Sequence, residues 1–356
     1  MKSEVGHSKK TFIDSSAARN ISVIDLPNEL VNFITQELGL QADELDKNPQ
    51  ALAKAFQRLA ELGGLRLQLA KGFGGYEVTP QAYDEYRMLL ARYSGALAFL
   101  QGQHQEAVWL LSLAAEQANA NKALVGIGQG QGYAVALRQQ SARQYLKVEQ
   151  IKNGWQLNGT LPWVTGWGIY PKILCNFFTE DQAVYVRLPF VDTIFAGGQL
   201  GCSTPLTTAG LSAVNTVRIE LTNWLVAEQD ILIIRPKSQP WPRKKHNAVY
   251  YMAGCMAALL ALIADGLTKA AINRPYQELY NAYQHYVKTA QDVSTDPLKV
   301  RAQGYQLAHQ IAALALLAVG GRGMLANHPL QRLTRELWQY SLAGINDPLL
   351  TAYLVA

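Results

Sequence analysis

Charge is what this chain has least of. Only 17% of its 356 residues are Asp, Glu, Lys or Arg, and the acids number 27 against 32 basic residues. Hydrophobic residues make up 49%, which excludes an intrinsically disordered chain. So little charge over so long a chain implies hidden surface, most simply in an oligomer interface. Cysteine is scarce too. Cys175, Cys202 and Cys255 are odd in number and widely spaced, which argues against a disulfide framework or a zinc site and fits a reducing cytoplasm. No stretch offers about 20 clean apolar residues, so no membrane span is expected. The one basic cluster, Arg243-Lys244-Lys245, is too short for a nucleic-acid tract despite a net charge of +5. No two histidines have ligand spacing, so no metal is expected. No Ser-His-Asp set can be recognised. Residues 1–22 lack the apolar core of a secretory signal and read as a disordered lead-in.

What is present falls into three zones. From Leu26 to about Asn121 apolar residues recur at steps of three and four, as in Leu30, Phe33, Ile34 and Leu38. Asp25, Asn48-Pro49 and Thr79-Pro80 read as helix starts, and Gly63-Gly64 as a stop. From Leu124 to about Pro236 the period shortens. Val217 to Leu221 alternates as a half-buried strand, and Asn158-Gly159 reads as a turn. A proline-rich linker, 235–243, leads into helices again. These are Val249 to Lys269, one opened by Pro275, Leu298 to Val319 ended by Gly320-Gly321, and shorter ones from Leu330 and about Pro348. The domains expected are 23–122, 123–236 and 245–356.

Three stretches carry a family likeness. Leu62-Gly63-Gly64-Leu65 precedes Gly72-Phe73-Gly74-Gly75. Gly154 to Gly166 reads GWQLNGTLPWVTG. Gly320-Gly321-Arg322-Gly323-Met324 precedes Pro329-Leu330-Gln331-Arg332-Leu333-Thr334-Arg335-Glu336. With the order of zones, they resemble the acyl-CoA dehydrogenases. The resemblance implies an α+β multidomain fold with an N-terminal helical domain, a middle β-barrel-like domain and a C-terminal four-helix bundle. It implies an FAD cofactor, with Trp163, Val164 and Thr165 at the isoalloxazine ring. Gly320, Gly321 and, more weakly, Arg274 would meet the nucleotide half across a homodimer or homotetramer interface. Arg332 and Arg335 share a helix face and either meet that site or brace the bundle through carboxylates.

The same resemblance exposes departures. The usual catalytic Glu falls on Gly344. The alternative Glu, early in the bundle's first helix, falls in His246-Asn247-Ala248-Val249-Tyr250. The nearest acids, Glu336 and Asp347, read as a structural residue and a helix N-cap. The motif that usually opens the middle domain is replaced, in this reading, by Gly126-Ile127-Gly128-Gln129-Gly130-Gln131-Gly132, and Asn273-Arg274-Pro275-Tyr276 reads as a simple turn. His104, His309 and His328 read as core, bundle-facing and turn residues. Three readings follow. The first is oxidation of a CH–CH bond in an acyl thioester or similar substrate. The second is a non-catalytic binding or assembly relative, without bound flavin. The third is a flavin-dependent monooxygenase fed by a separate flavin reductase.

Overall fold

The computed structural model describes residues 26–137, 145–152, 154–242, 244–266 and 270–355. The expected lead-in, Asp25 and Lys269 lie outside them. A π-helical stretch, Phe33–Leu38, joins α1 (Asn28–Asn32) to α2 (Gly39–Lys47), and Leu30, Phe33, Ile34 and Leu38 are buried as their spacing requires. The Asn48 side chain accepts from the N–H groups of Gln50 and Ala51 and opens α3 (Pro49–Glu61). Gly63, at φ 87°, closes it. Thr79 caps α4 (Pro80–Tyr93) through Ala82 N–H, and Ser94 caps α5 (Gly95–Ser112) through Leu97 N–H. Each cap satisfies a backbone donor that a helix start leaves bare.

The glycine run does not open the β domain. Its first half is the last turn of α6 (Ala118–Gly128), which crosses the division expected at residue 122. A Cβ on Gly128 would fall 1.9 Å from the Phe73 carbonyl oxygen, so this glycine is used for packing inside the chain. Strand β1 (Tyr133–Ala136) begins only after it.

Two sheets make the middle of the molecule. One runs β1-β4-β5-β9, from β4 (Lys172–Phe178), β5 (Gln182–Pro189) and β9 (Ile231–Pro236), with β1 parallel to β4. The other runs β2-β3-β8-β7-β6 and is antiparallel throughout. Its strands are β2 (Leu146–Ile151), β3 (Gly154–Thr165), β6 (Thr193–Phe195), β7 (Gly198–Cys202) and β8 (Thr216–Val226). Val217, Ile219 and Leu221 are buried while Arg218 and Glu220 are exposed, the alternation of a half-buried strand. The inner faces share one core, with the Trp155 and Phe177 rings edge to face at 5.5 Å. Asn158-Gly159 is not a turn. It lies inside β3, where the register against β8 slips between Leu157 and Gly159. The Asn158 side chain accepts from Asn223 N–H at 2.7 Å. Tertiary pairing has turned a local turn signal into a bulge.

The C-terminal helices are α7 (Ala248–Asp265), α8 (Ala270–Gln291), α9 (Pro297–Val319), α10 (Pro329–Leu342) and α11 (Asp347–Val355). The turn expected at Asn273–Tyr276 is helix instead. Pro275 lies early in α8, where a proline removes one backbone donor and the helix continues beyond it. Helix α7 is long and apolar enough to cross a membrane by length and composition. Its apolar sides are covered by α4, α8, α9 and α10. Exposed apolar side chains occur in all three zones, among them Leu40, Ile194 and Phe195, and at the end of α9 and beyond they include Leu317, Met324, Leu325, Trp338 and Leu354.

Ion pairs join the helical halves. Arg335 on α10 reaches Asp46 on α2 at 2.8 Å. Arg332 is bidentate to Glu336 at 2.8 and 2.9 Å, and both are buried. Both arginines are braces.

Two predictions follow from this core. Glu336→Ala strands the Arg332 charge and should cost about 3–5 kcal/mol in denaturant unfolding. The paired change Arg332→Leu/Glu336→Leu should cost much less; equal losses would refute the view that the stranded charge causes the damage. The second concerns His104, fully buried on α5. One ring nitrogen meets the Leu65 carbonyl oxygen and the other accepts Tyr133 N–H. Burial pushes its titration down to about 4. As pH falls from about 6.5 towards 4, the unfolded chain takes up a proton that the folded chain refuses. Stability is then lost over that window, on the order of 3 kcal/mol at its acid end. Urea midpoints between pH 7 and pH 4 should fall less in His104→Gln than in the parent.

Candidate functional site

Strand β3 carries the first part of the site. Its register slips a second time, between Leu161 and Val164. A bulge re-aims the side chains it contains. Trp163 is accordingly 64% exposed, while Val164 beside it is fully buried. At the strand's end Thr165 pairs with Thr216, both nearly buried, their hydroxyl oxygens 3.0 Å apart. Two hydroxyls carry two protons and this bond uses one, so one O–H remains to donate. The Tyr170 hydroxyl, a few residues on, donates to the Leu100 carbonyl at 2.6 Å and ties the strand's end to α5.

The other expected contacts are more scattered. Gly320 ends α9 at φ 69° and ψ −152°, a conformation open almost only to glycine. Gly321 follows on the exposed face with open space where a side chain would be. Arg274 lies on an exposed flank of α8, ion-paired with Glu278 one turn on at 2.9 Å, not in a hairpin.

The two places expected for a base come together. Gly344 lies in the turn between α10 and α11 at φ 64°. A Cβ built there would lie 3.2 Å from His246 Nε2. His246 immediately precedes α7, and its Nδ1 accepts the Ala248 N–H at 3.1 Å. That bond fixes the neutral tautomer: Nδ1 is the acceptor, and Nε2 carries the proton. Nε2 has no hydrogen-bond partner among the described residues, and the residue is exposed. The protein around the ring, then Arg301, Lys244 and Arg87, pushes its titration down. His246 is therefore neutral across the physiological range.

Arg301, on α9, holds the turn. It is 4% exposed and donates to the carbonyls of Tyr340, Ser341 and Ala343 at the end of α10. Cations at a helix C-terminus are favoured by its dipole. Glu336 is committed to Arg332. Asp347 is not the cap of α11; Asn346 is, accepting Leu349 N–H at 3.0 Å.

Beside His246 a cavity of about 550 Å³ opens between α4, α5, the start of α7 and the α8–α9 turn. Arg87 lines it, its guanidinium 4.5 Å from the Tyr83 ring and 3.5 Å from the Tyr250 ring. It pairs with Asp84 and donates to the Asn247 side chain at 2.7 Å. Lys244 bonds Glu106 at 2.7 Å and lies over Trp109. Among the described residues, the Tyr83 hydroxyl, Arg87 Nε and Gln105 Oε1 of the lining residues are buried without a hydrogen-bond partner.

Among the remaining histidines, His328 accepts Leu330 N–H as the cap of α10, and His309 bonds the Tyr305 carbonyl one turn back. No group of possible metal ligands occurs among the described residues. Sequence reasoning reached the His246 segment only as a place without a carboxylate. That His246 faces Gly344, about a hundred residues away, is a tertiary fact with no local signal.

No protein-family profile matches the chain, and no curated protein matches it in sequence. Solved structures do match it. Glutaryl-coenzyme A dehydrogenase in its glutaryl-CoA complex superimposes with a TM-score of 0.77, at 15% identity and 96% of each chain covered. KijD3 in complex with FMN and dTDP-3-amino-2,3,6-trideoxy-4-keto-3-methyl-D-glucose gives 0.75 at 15% identity, covering 98% of this chain and 96% of that one. A dibenzothiophene monooxygenase from Paenibacillus sp. A11-2 gives 0.69 at 14%, covering 91% and 94%. Proteins of different chemistry thus share nearly the whole length of this architecture, and the chain has the acyl-CoA dehydrogenase fold.

Proposed function

We propose that the chain is a flavin-dependent monooxygenase, fed with reduced flavin by a separate reductase, and not a CH–CH dehydrogenase. The observation that supports this most directly is Gly344 against His246. Taking a proton from carbon needs an unprotonated base within reach. The two places where the fold's dehydrogenases keep a carboxylate hold a glycine and an imidazole whose free nitrogen already carries its proton. Inserting oxygen does not require that carboxylate.

The residues present fit a flavin at its ring end. The bulge presents an uncovered Trp163 face suited to stacking. Val164 backs it from the core, and the Thr165–Thr216 pair holds a hydroxyl proton to give to a ring heteroatom. When bound, reduced flavin with O₂ supplies one oxygen atom to the substrate and releases the other as water. The protein's part is to position and to exclude water. The cavity beside Asn247 gives a substrate room within a partly polar wall. For the nucleotide half, Gly320 and Gly321 offer open backbone on the exposed face, while Arg274 is engaged by Glu278. The reading therefore commits to a flavin and leaves FAD and FMN as alternatives. Among similar structures are one complexed with FMN and one monooxygenase.

We also infer a homodimer or homotetramer. Leu317, Met324, Leu325, Trp338 and Leu354 are exposed apolar side chains of the C-terminal helical region, the kind of surface a second copy would cover.

Flavin binding should be detectable by quenching of flavin fluorescence, and Trp163→Ala should weaken it about tenfold. Oxygen should be consumed only when reduced flavin is supplied. Anaerobic bleaching of bound flavin by butyryl-CoA would instead establish the dehydrogenase reading. A protein that binds no flavin would leave only the binding or assembly role. In sedimentation the protein should run as a dimer or larger, and Leu317→Glu/Leu354→Glu should shift it to monomer; a monomeric parent would overturn the assembly.

A further inference from the structure

We propose that His246 is a neutral hydrogen-bond donor for a carboxylate on the substrate, at the point where a base would otherwise stand. Three independent features of the geometry carry this.

The first is orientation. The Ala248 N–H occupies the Nδ1 lone pair, so the nitrogen turned towards Gly344 is an N–H with no partner among the described residues. The second is room. A side chain at position 344 would crowd that nitrogen, and φ 64° there disfavours any side chain. Glycine keeps the donor uncovered. The third is the sign of the surroundings. Arg301 on α9, Lys244 before α7 and Arg87 on α4 all act on the His246 ring. Arg87 and Lys244 have carboxylate partners, Asp84 and Glu106. Among the described residues Arg301, buried, meets carbonyls and the Tyr353 hydroxyl and has no carboxylate partner. A buried cation without a carboxylate favours an incoming anion.

A carboxylate placed on Nε2–H would gain a charge-assisted hydrogen bond and the attraction of Arg301. An amine would meet a proton and three cations. This inference rests on the preceding reading, which puts the substrate in the cavity lined by Lys245 and Asn247 on either side of His246, but its test needs no flavin. Failure of one is therefore distinguishable from failure of the other.

The test uses the full chain labelled with ¹⁵N-histidine and free of flavin. Long-range ¹H–¹⁵N spectra should show His246 as the Nε2–H tautomer, neutral down to pH 5. Sodium butyrate should shift that resonance, whereas butylamine should not. By calorimetry His246→Phe should weaken butyrate binding at least tenfold, while His246→Gln, which keeps an N–H donor, should stay within about threefold. The proposal is overturned by an Nδ1–H tautomer, by a protonated His246 at pH 7, by butylamine binding as well as butyrate, or by unchanged butyrate affinity in His246→Phe. The spectra of the parent protein decide the donor question even if both variants fold poorly.

Discussion

The crossing of α4 and α7 is the constraint on which the rest of the site depends. A Cβ on Gly254 would lie 2.3 Å from the Met88 carbonyl oxygen, so the two backbones touch where they cross. That contact sets the start of α7 beside the middle of α4. There Arg87 reaches Asn247 and stacks between Tyr83 and Tyr250. His246, one residue before Asn247, inherits its place from this arrangement. The second tie, Arg335 to Asp46, and the buried Arg332–Glu336 pair against Gly95 fix α10 relative to the N-terminal helices. Fixing α10 fixes its C-terminal carbonyls, which Arg301 holds, and so fixes Gly344. Two ends of chain that share no local sequence meet because four helices leave them no other place.

The β domain solves a different problem. A regular strand would bury or expose Trp163 according to its place in a two-residue alternation. The slip between Leu161 and Val164 breaks that alternation, keeping Val164 in the core while Trp163 faces out. The same strand's earlier slip at Asn158 is absorbed by a side-chain bond to the Asn223 backbone. One strand thus carries two local irregularities, and the second presents the flat ring.

The architecture was legible in the sequence because its signals are local. Asn48 and Thr79 cap the helices that follow them, and Val217 to Leu221 alternates in both sequence and structure. What misled the reading were signals that tertiary contacts override. Asn158-Gly159 favours a turn by itself, but pairing with β8 holds it in a strand. Pro275 suggests a helix start, yet the helix already runs by then, with Ile272 buried ahead of it. The site was legible only in part. Trp163 and Thr165 were marked by a contiguous motif. His246 was not, since nothing near residue 246 announces what residue 344 is.

The exchange of a carboxylate for this pair is more than the loss of one group. A general base works best when its affinity for protons is near the working pH, which for a carboxylate requires apolar surroundings or a neighbouring negative charge. The surroundings of His246 supply the reverse: Arg301, Lys244 and Arg87 act on its ring, and His246 offers an N–H. A Glu introduced at position 344 would meet that imidazole at contact distance and be stabilised as the anion. Its proton affinity would fall below the ordinary carboxylate range, making it a weak base and a good hydrogen-bond acceptor. The position is therefore electrostatically built for an anion that arrives, not one that is resident. An oxygenation chemistry that begins by holding its substrate is compatible with such a wall, whereas abstraction of a carbon-bound proton would require the charges around it to be rebuilt.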